Sequence, residues 1–171
     1  MVDVDDVRTI LGNLNDAVFL HDIDGNILFV NDAACSRLGY TEDELLAMSL
    51  RDFDSPDSAA KIQARIEQLE TEGELVFEST HVTRDGEEIP VEVNATTISY
   101  EGEPAVLSVA RDITDRKQRE SLLAEANQRL TAVIEAAPDA IIVVDPEGRV
   151  ETWNSAAKRI FGWSAAEVLG E

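Results

Sequence analysis

Two histidines, one cysteine and three groups of carboxylates are the residues of this 171-residue sequence that could do chemistry. The carboxylates are Asp22 with Asp24, Glu42 with Asp43 and Glu44, and Asp52 with Asp54. Paired carboxylates can act as general acid and general base. Here turns and helix caps account for most of them. His21, His81 and Cys35 do not complete a nucleophile, base and orienting group, so no enzyme activity is expected in this segment. One cysteine excludes an internal disulfide, and no zinc-ligand spacing is present, so no metal site is expected either. No glycine-rich phosphate loop occurs. His21 falls at a strand end and His81 within a strand, where an exposed or half-buried imidazole is the common case.

The elements that must position these residues follow from a duplication. Asp16 to Met48 aligns without a gap with Asp139 to Glu171, at a constant offset of 123 residues. Identical pairs include Asp22/Asp145, Gly25/Gly148, Asn31/Asn154, Ala34/Ala157, Gly39/Gly162 and Glu44/Glu167. So long a period means tandem domains and not a solenoid of small units.

Composition restricts the partners. The formal net charge is −21, from 35 acidic and 14 basic residues, and the only lysines are Lys61, Lys117 and Lys158. Such a surface repels phosphate backbones, so direct nucleic-acid binding is not expected. Abundant acid with little lysine suggests a halophilic protein, tuned to salt at which screening collapses to a few ångströms. Stability that falls as KCl rises to molar concentration would contradict this. The longest apolar run, around Ala140–Val144, is far too short to cross a bilayer. No signal peptide opens the chain. The expected location is cytoplasmic.

Taken in order, residues 1–15 hold a short amphipathic helix with Val4, Val7, Leu11 and Leu14 as its stripe. It either dimerises or packs on its own domain. Ala17–His21 and Asn26–Val30 read as strands joined by the turn Asp22-Ile23-Asp24-Gly25. Asn31 suits a helix N-cap, Gly39 a stop, and Thr41 with Glu44 a capping box. Ser49–Ser55 reads as irregular. A long helix is expected over Asp57–Glu72, with Pro56 in its first turn.

Three strands follow: Leu75–Thr83, Glu88–Tyr100 and Pro104–Ile113. In the second of them, Ile89, Val91, Val93 and Ala95 alternate with polar residues, which predicts an antiparallel sheet with one face buried. Strands grouped apart from helices argue an α+β domain, complete near residue 114. Residues 115–137 then form a helix whose seam, Leu123, Ala126, Leu130, Val133 and Ala137, has coiled-coil spacing for about two heptads. Residues 138–171 are the opening of a second domain. It breaks off at the counterpart of Met48, before any strands that would cover its apolar side. It is expected to be mobile or to lean on a neighbour.

Residues 16–120 resemble a PAS domain with its trailing PAC segment. The residues that carry the likeness are Asp22-Ile23-Asp24-Gly25, Asn31-Asp32-Ala33-Ala34, Leu38-Gly39-Tyr40-Thr41-Glu42-Asp43-Glu44-Leu45, Arg84-Asp85-Gly86, Ile89-Pro90-Val91-Glu92-Val93 and Arg111-Asp112-Ile113-Thr114-Asp115-Arg116-Lys117. Residues 138–171 resemble the start of a second PAS domain. The resemblance implies a five-stranded antiparallel sheet in the order 2-1-5-4-3 with helices over one face. It also implies a sensory or dimerisation module of a larger signalling protein, such as a histidine kinase or transcriptional regulator.

The resemblance also frames the candidate sites. In flavin-binding LOV members the reactive cysteine follows the Gly-Tyr-x-x-x-Glu segment. Cys35 precedes that segment, and Ser49–Phe53 has no cysteine, so a flavin adduct is disfavoured and Cys35 reads as a small buried residue. In haem-binding members the axial histidine lies on the long helix, which here has none. No cofactor is required. A ligand pocket would lie between the inner sheet face and that helix, lined by Phe29, Phe53, Ile62, Ile66, Phe77, Val91, Val93, Leu107 and Val109. The same residues equally describe a packed core. Ser79 and His81 share a strand face that would add polar groups to a pocket, but Val76 and Phe77 compete for the interior and leave the strand's phase open.

Two readings result. In one, a small ligand or partner acts on the sheet, and the change passes through Asp112, Ile113 and Thr114 into the helix seam. In the other, a ligand-free module holds protomers of a homodimer in register. The output domain would lie elsewhere in the polypeptide.

Overall fold

The computed structural model describes residues 14–170. Val4, Val7 and Leu11 of the expected N-terminal helix lie outside the described residues. The chain divides into two compact units, Met1–Lys117 and Gln118–Glu171.

The first unit opens with strands β1 (Ala17–Asp22) and β2 (Ile27–Val30). The turn between them is built by one side chain. The Asp22 carboxylate accepts hydrogen bonds from the backbone N–H of Asp24 (2.9 Å) and Asn26 (2.8 Å) and from the Asn26 amide (2.8 Å). Gly25, at φ +90°, supplies the left-handed residue that the turn needs. Helices α1 (Asp32–Leu38), α2 (Glu42–Leu46), α3 (Leu50–Phe53), α4 (Pro56–Ala59) and α5 (Ile62–Glu72) come next. Asn31 caps α1, and Thr41 with Glu44 forms the capping box of α2, as the spacing predicts. Strands β3 (Glu74–Val82), β4 (Glu88–Tyr100) and β5 (Glu103–Asp112) complete an antiparallel sheet in the order β2-β1-β5-β4-β3. This is the α+β architecture expected from the sequence pattern and the strand order that the resemblance implies.

Two helical expectations need correction. The stretch 49–55 is not wholly irregular, because Leu50–Phe53 forms α3. The helix expected over Asp57–Glu72 is two helices, α4 and α5, broken at Ala60 and Lys61. The break has a tertiary cause. The Ser55 N–H donates to Thr80 O (2.8 Å), and the Ser58 hydroxyl accepts from Thr80 N (3.1 Å), so α4 is tied to β3. Local pattern alone could not show that tether.

The core lies between the inner sheet face and the helices. Phe19 of β1 stacks on Phe53 of α3 with ring centroids 5.2 Å apart. Leu38, Leu45 and Val91 are fully buried beside them. Each such side chain contributes about 1.5–3 kcal/mol on removal from water.

Helix α6 (Thr114–Ala136) follows β5. The second unit adds β6 (Ile142–Val144), β7 (Val150–Trp153), α7 (Ser155–Phe161) and α8 (Ala165–Val168). Its β6–β7 pair is antiparallel, Asn154 caps α7, and Ser164 with Glu167 repeats the capping box. Its apolar side chains are largely exposed, Ile142 at 41% and Phe161 at 53%.

Candidate functional site

Strand alternation turns a mixed set of side chains toward the helices. Phe19 and His21 come from β1, Ser108 and Ala110 from β5, Val93 and Ala95 from β4, and Phe77, Ser79 and His81 from β3. Leu50 of α3, the following Asp54, and Ile62, Arg65, Ile66 and Leu69 of α5 close the other side. Together they line a cavity of about 40 Å³. An apolar cavity of about 150 Å³ takes a benzene, and one water occupies about 30 Å³ of liquid. As it stands, the cavity admits a ligand of a few heavy atoms and is far too small for a haem or a flavin.

The nine expected lining residues divide into three groups. Ile62, Ile66, Phe77 and Val93 do line the cavity. Phe53 and Val91 are buried in the core and are not among the lining residues. Phe29, Leu107 and Val109 belong to the opposite sheet face, which is a correction. Phe29 and Leu107 both pair with Leu20, and Val109 pairs with Val18. The inward residues of β5 are Val106, Ser108 and Ala110, of which Ser108 and Ala110 line the cavity. Both faces of that strand read as apolar, so choosing the largest side chains picks the wrong one. Small inward residues leave the room that Phe19 and the helices occupy. On β3 the phase is now settled: Phe77 faces inward and Val76 is 61% exposed.

The polar groups fall into two sets. At one, His21 Nδ1–H donates to Asp22 O (2.8 Å), which leaves Nε2 to accept from the Ser108 hydroxyl (3.2 Å). At the other, the Ser79 hydroxyl donates to Asp54 Oδ1 (3.4 Å) and accepts from Arg65 Nη1 (3.4 Å). Arg65 also donates to Glu78 O (3.0 Å) and lies 3.9 Å above the Phe77 ring. His81 Nε2 is 3.7 Å from Asp54 Oδ1, too far for a hydrogen bond. Its Nδ1 is buried without a hydrogen-bond partner. The ring meets Phe19 and Phe53 edge-on.

Burial sets the charges. It pushes the Asp54 carboxyl up to about 6, against the pull of Arg65 and the Ser79 hydroxyl. It pushes His81 down to about 4, helped by Arg37. At neutral pH the pair is therefore a carboxylate beside a neutral imidazole and not an ion pair. Burial also lowers His21. Both histidines are buried, at 2% and 4% exposure, so the expectation of exposed or half-buried imidazoles is overturned. Cys35 is half-buried on α1, and burial, with Glu42 and Asp32 nearby, raises its thiol. Among the described residues no group of three or more His, Cys, Asp or Glu is placed to hold a metal.

Sequence reasoning missed Asp54 and Arg65 as cavity residues. Arg65 had a usable signal, because Ile62, Arg65 and Leu69 share one helix face at spacings of 3 and 4. Asp54 had none, since its position depends on how residues 54–58 are tied to β3.

At the junction with α6, Asp112 Oδ1 accepts from the Thr114 N–H (2.8 Å), and buried Ile113 donates to Pro90 O (3.0 Å). Thr114 is thus the first residue of the helix, and its N–H is taken up by the Asp112 carboxylate. The expected seam is exposed, Leu123 at 64%, Leu130 at 60% and Val133 at 65%, with Ala126 also exposed. No helix among the described residues is long and apolar enough to cross a membrane.

An antiparallel sheet of this order, with helices lining a small cavity and a helix leaving its last strand, is the fold of a sensor-type domain. The chain belongs to the PAS domain family: the PAS domain model matches residues 15–115, and the PAS fold model matches residues 128–171. It is 34% identical over 128 residues to the methyl sulfide methyltransferase-associated sensor of Methanosarcina acetivorans, covering 74% of this chain and 13% of that protein. It is 28% identical over 149 residues to the sensor protein FixL of Bradyrhizobium diazoefficiens, covering 82% of this chain and 29% of that protein. The chain thus spans less than a third of either relative. Among solved structures it is similar to the PAS domain of an HTR-like protein from Haloarcula marismortui, with TM-score 0.58 and 33% identity. That match covers 63% of this chain and 88% of the other. It is also similar to a domain of a sensory box sensor histidine kinase/response regulator from Geobacter sulfurreducens, with TM-score 0.56 and 30% identity over 63% of this chain and 92% of the other.

Proposed function

We propose that the first unit is a cytoplasmic sensory module whose small cavity takes a ligand of a few heavy atoms. It works by binding and relay, not by catalysis. The observation that carries this reading is the cavity itself: a small space in a largely apolar core, furnished with Asp54, Arg65, Ser79 and His81. A core selected only for stability has no need of an arginine and a buried carboxyl, whose desolvation is costly. The histidine kinases and sensors among its relatives support an output domain in the same polypeptide. The exposed seam Leu123, Ala126, Leu130 and Val133 supports a parallel homodimer through α6, which would bury those side chains.

The test pairs the wild type with Ala95→Val, which sets two extra methyl groups into the cavity. Denaturing mass spectrometry seeks a copurified small molecule. Thermal unfolding is then followed across a panel of small polar metabolites, where a ligand at a hundred times its Kd adds about 2.7 kcal/mol of stability. The expected result is a molecule or a thermal shift seen with the wild type and lost in Ala95→Val. A dimer by sedimentation that shows neither would reduce the protein to a ligand-free interaction module.

A further inference from the structure

Three consecutive residues of β3 face two ways. Phe77 and Ser79 point into the cavity, and Glu78 points from the opposite face. Arg65 grips this segment from inside, with its guanidinium on the Phe77 ring, on the Ser79 hydroxyl and on the Glu78 carbonyl. From the other face, the first turn of α6 grips the same residue. Lys117 Nζ is 2.6 Å and Arg116 Nη2 is 2.9 Å from the Glu78 carboxylate. Arg116 Nη1 also reaches Glu92, at 3.2 Å.

The sheet's own register favours a cation there. Glu78 and Glu92 stand directly opposite each other across β3 and β4. Like charges so placed repel, and Arg116 bridges them. Lys117, the larger influence, and Arg116 hold the Glu78 carboxyl below its usual range. The first turn of α6 is therefore tied to a glutamate whose main chain is held by a cavity side chain.

We infer that Glu78 couples the cavity to α6, as a positioning residue that joins Arg65 on one face of β3 to Arg116 and Lys117 on the other. This route is separate from the Asp112-Ile113-Thr114 junction at the end of β5. Its biological meaning rests on the sensory reading proposed above, because a ligand that drew Arg65 toward itself would release the Glu78 carbonyl.

The experiment contains no ligand, so its failure is distinguishable from failure of the sensory reading. Hydrogen exchange of the α6 amides at 116–120 is measured in the intact chain at one fixed KCl concentration, for wild type, Arg65→Ala, Glu78→Gln and the double variant. Arg65→Ala is expected to lower protection there by about threefold to tenfold in the wild-type background. It is expected to have no further effect once Glu78→Gln is present, which is the non-additivity that coupling requires. Unchanged protection in β1 and β5 shows that the first unit remains folded. If Arg65→Ala loosens those strands too, Arg65→Met replaces it, keeping the apolar stem over Phe77 while removing the hydrogen bonds. Additive effects, or no effect of the Arg65 variant on 116–120, would overturn the coupling.

Discussion

The two copies of the repeated block adopt the same local structure in very different surroundings. In the first copy, Asn31 accepts from Val18 N and Ala34 N and donates to Asp16 O. In the second, Asn154 accepts from Ile141 N and Ala157 N and donates to Asp139 O, the same three bonds shifted by 123 positions. Gly39 and Gly162 end their helices at φ +77° and +85°. Yet Leu38 is fully buried while its counterpart Phe161 is 53% exposed, and Phe19 is 2% exposed against 41% for Ile142. Caps and turns thus form wherever the block occurs. Burial of the first copy comes from β3, β4, β5 and α5, which pack over it.

The comparison can be broken most directly at the matched pair Leu38 and Phe161. Leu38→Ala should destabilise the first unit by about 2–5 kcal/mol, the cost of a cavity in a packed core. Phe161→Ala should cost less, about 0.5–1.5 kcal/mol, the loss of a half-exposed ring contact with Trp153. Urea unfolding distinguishes the units, because both tryptophans, Trp153 and Trp163, lie in the second and both tyrosines, Tyr40 and Tyr100, in the first. Equal losses at the two positions would mean that the second block is buried in solution.

Next in size are the two asparagines. Asn31→Ala and Asn154→Ala each strand buried backbone groups at a cost of roughly 1–3 kcal/mol. The first unit should absorb this as a lower urea midpoint with its fold retained. The second, with little buried core, should lose the tryptophan near-ultraviolet dichroism altogether. Retention of that signal in Asn154→Ala would show that the second block is held by more than its caps.

The smallest effect is on pH dependence, and it belongs to the first copy alone. Asp54, raised to about 6, favours the folded state while protonated, so that contribution is lost as pH rises from about 4 through 6. His81, lowered to about 4, contributes above pH 6.5 and loses that contribution as pH falls toward 4. The two slopes oppose each other and partly cancel. Asp54→Asn removes one of them, so the variant's urea midpoint should fall more steeply than the wild type's between pH 6.5 and 4.5. Parallel curves would show that Asp54 is not buried as described.

Much of this was legible beforehand, for a reason that particular residues make plain. Asp22, Asn31, Thr41 and Glu44 bond to groups within a few positions of themselves or, for Asn31, across one hairpin, so their roles are written in local spacing. The strand order came with the family likeness and not with any pattern of residues. The cavity was half legible. Ile62 and Ile66 follow from helical periodicity and Val93 from alternation. Ser108 and Ala110 do not, because β5 is apolar on both faces and only packing against Phe19 chooses between them. Asp54 and His81 are 27 residues apart and meet only because the segment at α4 is bonded to Thr80.

The sequence by itself determined where strands, turns and caps fall, that a domain-sized block starts twice, and that the seam of α6 is apolar. These depend on interactions a few residues long. Only the tertiary structure decided which face of β5 looks inward, that the expected long helix breaks at Ala60 and Lys61, that both histidines are buried, and that one glutamate touches the cavity's arginine and the helix's first turn. Those features arise from contacts between residues tens of positions apart, and local patterning carries no information about which of several apolar faces a distant element will cover.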